Sequence, residues 1–244
     1  MLKLIETELL KLRRRKLLLI MLLAALIMPF FAMLLFRYKG ETGINPLEFY
    51  RWSAFGYTLF IILPVVLGIF CVMLIYEEKR HDVAKQLWIV PISRMSYFFS
   101  KFFVVLFYSV VFMMITAIAS AAFGVLPGYI GFDRNHILYL FERCLEIGVI
   151  TAFALLPVLS IATMTKGYIL PSCITLIYAL LGFFLMNTNI YLHPICSTAA
   201  IIMRDSDIPG LAFSQTINVP FALLCIAAWD IIFILLANIA LKKK

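Results

Sequence analysis

Glu77–Lys101 reads EEKRHDVAKQLWIVPISRMSYFFSK, and its reading decides the fold because of what flanks it. On both sides the chain is too apolar to be anything but membrane span, so this stretch connects two spans. It is the most charged piece outside the N-terminus, with five Lys/Arg, three acids and a His. The pattern nevertheless predicts a helix. Val83, Leu87 and Val90 recur at i, i+4 and i+7, with Ala84 and Trp88 beside them, while Lys79, Asp82 and Lys85 take the other face. Pro91 ends this helix, and Pro-Ile-Ser-Arg begins the next span. A short amphipathic helix at a membrane surface, tied at both ends to spans, can transmit a push from something docked beneath it.

Outward from that stretch, composition sets the class. Of 244 residues, 64% are hydrophobic and only 14% charged, against about 25% charged in soluble domains. This is an all-α polytopic membrane protein by composition. Net charge is +8, but the basic residues sit beside apolar spans, where topology explains them without nucleic acid. No soluble domain fits in the connections. There is no G-x-x-x-x-G-K-[ST] loop, so ATP chemistry is expected on another chain.

Six spans are expected, at about 17–36, 54–76, 97–126, 145–164, 168–187 and 219–241, in a single transmembrane domain over 1–244. Ahead of them, residues 1–16 place Leu2, Ile5, Leu9 and Leu12 on one stripe beside Lys3, Lys11 and the Arg13–Lys16 run. This predicts a helix lying on the inner leaflet, drawn there by anionic lipids. With both termini inside, fifteen Lys/Arg fall on inner segments and six on outer ones, the sign that the positive-inside rule demands. Between the fifth and sixth spans, His193–Met203 is apolar but too short to cross. Pro194 suits a first helical turn, so this region reads as one arm of a re-entrant pair, or as an outer loop packed on the bundle.

Ionisable groups at membrane depth are candidate machinery, since a charge there is costly. Asp230 sits mid-span, and Glu146 lies near Arg143 towards the outer end of the fourth span; both are possible pathway or buried polar residues. Pro29, Pro64, Pro157 and Pro171 fall in four spans and can kink them. Cys71, Cys144, Cys173, Cys196 and Cys225 form no C-x-x-C pair, and the three His are dispersed, so no metal site is expected. Neither G-x-S-x-G nor H-E-x-x-H occurs, and Glu77-Glu78 lacks an Arg four residues on, where Asp82 stands. No catalytic constellation emerges. A proton-coupled secondary transporter would use Asp230 and Glu146, but the internal repeats usual there are not visible.

The run K-Q-L-x-x-x-P-I-S-R at Lys85–Arg94, with Glu77 and Glu78 upstream and Lys101 downstream, resembles the loop between the second and third helices of ABC-2 type permeases. The similarity is closest to the branch giving bacitracin resistance or lantibiotic immunity, although Val83 and Ala84 stand where that branch often has Thr-Trp. The resemblance implies a permease subunit of an ATP-driven exporter, in a bacterial plasma membrane with both termini cytoplasmic. A second permease copy or a homologous permease would complete the dimer, above two ABC ATPase subunits that hold ATP and Mg. It makes Val83, Leu87, Trp88 and Pro91 the docking face for an ATPase, with Lys85 and Arg94 as polar anchors. The implied cargo is an amphipathic, membrane-active peptide; sodium, lipid or polysaccharide export is the alternative.

Overall fold

Why the chain breaks where it does is clearest at its prolines. The computed structural model of the protein describes residues 2–13, 16–40, 42–80, 93–165, 167–186, 188–205 and 217–242, and among these there is no strand. In chain order the helices are α1 (Leu2–Arg13), α2 (Lys16–Lys39), α3 (Pro46–Arg80), α4 (Arg94–Val125), α5 (Arg134–Met164), α6 (Ile169–Leu185), α7 (Pro194–Ile202) and α8 (Val219–Lys242). Five of them, α2, α3, α4, α5 and α8, are long and apolar enough to cross a membrane, and α6 is a shorter apolar helix of 17 residues. The protein is therefore an all-helical, polytopic membrane protein.

Pro29 has no N–H for the carbonyl of Ala25. There α2 tightens into a 3-10 turn over Ala24–Leu26, and the Ala25 carbonyl accepts the Thr116 hydroxyl of α4 at 3.3 Å. In α5 the chain breaks at Leu155 (φ −101°, ψ 2°), just before Pro157. The Ala154 carbonyl at this break accepts the Tyr178 hydroxyl of α6 at 2.7 Å. With no water in hydrocarbon to satisfy such groups, a neighbouring helix must do so, and the breaks thereby fix which helices adjoin. Above Pro64, α3 contains two π turns, Arg51–Phe55 and Thr58–Ile62. Pro171 behaves differently from the expectation of a kink. It lies in the first turn of α6, where a missing N–H costs nothing.

Packing places α3 and α5 centrally, each with 72% of its most apolar window buried, and leaves α2 and α8 peripheral at 22% and 17%. Lipid is as apolar as a side chain, so close packing rather than escape from water holds these helices together. Small residues sit at the crossings. A Cβ on Gly148 of α5 would lie 3.1 Å from the Val110 Cα of α4, and the Ser109 hydroxyl donates to the Gly148 carbonyl at 2.7 Å. One end of the bundle carries the links 40–45 and 126–133, joined by the Ile44 N–H donating to the Tyr129 carbonyl. The other end carries the 81–92 connection.

Helix α7 begins with a His193 cap, whose Nδ1 accepts the Ile195 N–H at 3.3 Å, followed by Pro194 in the first turn. All nine of its residues are buried. The expected second arm of the pair lies largely in 206–216, outside the described residues. Cys144 and Cys196 are both fully buried.

Candidate functional site at the base of the 81–92 connection

Two helix ends bracket residues 81–92. On one side α3 ends at Arg80. On the other, Ser93 caps α4, its hydroxyl oxygen accepting the Ser96 N–H at 3.1 Å. Immediately behind these ends lies a closed group of charges. Lys101, two turns into α4 within Phe-Phe-Ser-Lys-Phe-Phe, is 1% exposed. Its ammonium donates to Glu78 Oε1 of α3 and to Glu8 Oε2 of α1, each at 2.5 Å. Lys11 Nζ donates to Glu8 Oε1 at 2.7 Å and to Glu78 Oε1 at 3.1 Å. The Tyr97 hydroxyl donates to Glu78 Oε2 at 2.7 Å.

Helical spacing builds this group. Tyr97 and Lys101 stand at i and i+4 on one face of α4, and Glu8 and Lys11 at i and i+3 on one face of α1. All four carboxylate oxygens accept a hydrogen bond, and two carboxylates balance two ammoniums. Such closure is what makes buried charge tolerable; removing one partner from such a pair typically costs about 3–5 kcal/mol. Lys11 is the one half-exposed member. Burial pulls its pKa down, but the hydrogen bond to Glu8 and the fields of Glu78 and Glu8 win, and it stands above the ordinary lysine value.

Next along α3, Lys79 takes a separate role. Its ammonium donates to the carbonyls of Ala162, Thr163 and Thr165, at 2.8, 3.0 and 2.5 Å. These lie at the C-terminal end of α5, where carbonyls have no partner within the helix and a cation is favoured. The last turn of α3 thus holds α1 and α4 through Glu78 and α5 through Lys79.

The expected assignments fare differently here. The last turn of α3 extends to Arg80, so Glu77, Glu78 and Lys79 belong to a spanning helix, and Lys79 is a cap rather than part of a solvent face. Val83, Lys85, Leu87, Trp88 and Pro91 lie outside the described residues. Arg94 opens α4, half-buried. Helix α1 turns Glu8 towards the bundle, with Leu12 packed on the core, while Leu10 is exposed. Glu146 bonds Arg143 at 2.7 Å and Arg204 at 2.5 Å, linking α5 to the turn after α7. Asp230 is 8% exposed, lies midway along α8, and its Oδ1 has no hydrogen-bond partner among the described residues.

Sequence reading did not find Glu8, Glu78, Tyr97 and Lys101 as a unit. One signal was available, since a lysine set among four phenylalanines inside a span requires a counter-ion. Which carboxylate supplies it depends on packing between segments 23 and 93 residues apart.

Comparison with known proteins bears on the whole arrangement. No curated protein matches the chain. A family model described as ABC-2 family transporter protein matches residues 4–182, a stretch that includes most of α1, the charge group and the 81–92 connection. That match covers well over half of the sequence, and the chain belongs to the ABC-2 family of transporter proteins.

Proposed function

We propose that this chain, a permease subunit of an ABC transporter by family, exports membrane-active peptides, and that residues 81–92 are its contact with a separate ATPase. In this reading Val83, Leu87, Trp88 and Pro91 form the apolar docking face, with Lys85 and Arg94 as anchors. Two ATPase subunits bind ATP and Mg, and two permeases pair above them. The charge count supports placing both termini on the cytoplasmic side of a bacterial plasma membrane.

The observation that carries the docking role is the ion group at the base of 81–92. A docked segment moves a bundle only if its anchorage is stiffer than the contact itself. Glu78 and Lys101 tie both ends of the connection to each other and to α1, and Lys79 ties it to α5. The peptide cargo is supported by the resemblance of Lys85–Arg94 to the immunity branch.

Leu87→Asp tests the docking role. It places a carboxylate in the apolar stripe without touching a span. Loss of a buried interface anchor costs about 2 kcal/mol or more, which is roughly 30-fold in association. The variant should insert as wild type does, yet fail to co-purify the ATPase or to stimulate ATP hydrolysis. Glu6→Gln, at an exposed position of α1, is the control and should keep both. Full ATPase binding and stimulation by Leu87→Asp would remove the docking assignment.

A further inference from the structure

Helices α4, α5 and α8 line an open cavity of about 460 Å³. Its wall is apolar and rich in aromatics, with Phe99 and Phe102 from α4, Phe153 from α5, and Ile226 and Ile231 from α8. The rings of Phe102 and Phe153 lie 5.0 Å apart. Among the described residues lining it, the only ionisable group is Asp230, more than nine-tenths buried and with Oδ1 unpartnered among those residues. Nothing in the charge group or in the Arg143–Glu146–Arg204 cluster uses this carboxylate.

We infer that this cavity is a binding site for a compact hydrophobic cation taken from the membrane. An isolated carboxylate in such a wall is costly and is relieved by a positive charge brought to it. Aromatic faces add attraction for the same charge, most strongly for a cation already stripped of water. The volume falls in the range of small-molecule sites, which suits a single compact body rather than a folded peptide. Depth selects further. Asp230 is eleven residues into α8, about 16 Å along the helix at 1.5 Å per residue, so a headgroup confined to the membrane surface does not reach it. The ligand carries its charge on a body apolar enough to enter the bilayer. This site does not depend on the docking role of 81–92 or on the cargo proposed above.

The test uses the full-length protein in lipid nanodiscs, with tritiated tetraphenylphosphonium as the cation and triphenylphosphine oxide as a neutral aromatic probe. Binding is measured by equilibrium dialysis against empty nanodiscs, which removes the contribution of lipid. Wild type should bind the cation at least tenfold more tightly than the neutral probe. Asp230→Asn should abolish that preference while leaving the neutral probe unaffected, and Asp230→Glu should restore part of it. Equal affinity of wild type for both probes would identify an apolar crevice that accepts any hydrophobic body, and would overturn the inference. So would undiminished cation binding by folded Asp230→Asn. The wild-type comparison decides the matter even if Asp230→Asn does not fold.

Discussion

The two ionic clusters of the bundle make an instructive pair. Near 81–92, Glu8, Lys11, Glu78 and Lys101 come from three helices, and Lys101 and both carboxylates are almost entirely buried. Nearer the opposite end, Arg143 and Glu146 are neighbours on α5, and Arg204 joins them after α7, with side chains 9%, 23% and 33% exposed. The first is charge-balanced and closed. In the second, Glu146 bonds both arginines and the group keeps access to its surroundings. A buried ion whose partner is removed stays buried and uncompensated, whereas partly exposed pairs are relieved by solvent and are worth about 0–1 kcal/mol. Similar side chains therefore act as a structural tie at one end and as a modest clasp at the other.

Lys101→Met would break that contrast most directly. It leaves two buried carboxylates with only the half-exposed Lys11 as counter-ion, and unfolding in detergent should show a loss of about 3–5 kcal/mol. Adding Glu8→Gln and Glu78→Gln to it should recover most of the loss, because the one charge then left in the group, Lys11, is half-exposed. A stable Lys101→Met single variant would mean that the group is not the tie described.

A smaller effect is expected at α1, where two glutamates on one helix separate burial from composition. Glu8→Gln leaves Lys101 with one charged partner in place of two. About 2 kcal/mol of stability should be lost, in line with the penalty for a weakened charged hydrogen bond, together with faster proteolysis of α1. Glu6→Gln, on the exposed face, should stay within about 0.5 kcal/mol of wild type. Equal behaviour of the two would show that α1 is not held through Glu8.

Arg204→Ala should have the smallest effect, below about 1 kcal/mol in the same unfolding measurement. Glu146 keeps Arg143 as its partner there. A loss comparable to that of Lys101→Met would show that the far cluster is as closed as the near one.

Much of the candidate site was legible in part. Charge at both ends of the 81–92 connection was visible, as was an amphipathic α1, yet each charged residue there had the same local explanation: a helix end at a membrane surface. Lys79 illustrates the limit. Helical spacing put it opposite the apolar stripe of Val83 and Leu87, but its partners are carbonyls 83 to 86 residues away. Asp230 was recognisable as an outlier from its own neighbours alone, because one carboxylate in a long apolar helix is improbable without a role. The cavity beside it was not, since its walls come from three helices.

By itself the sequence determined the class, an all-helical polytopic membrane protein, because a backbone in hydrocarbon must satisfy its own polar groups and so becomes helix wherever about twenty apolar residues run together. Helices begin earlier than the apolar runs alone imply, at Pro46 and Arg134 rather than near 54 and 145, because Asn45 and Asp133, like Ser93 and His193, each accept a backbone N–H of the helix they precede. Only the tertiary structure decided which charges meet. Ion pairing depends on the approach of helices distant in the chain, and that approach is set by small-residue crossings such as Gly148 against Val110 and by carbonyls freed at Pro29 and Leu155.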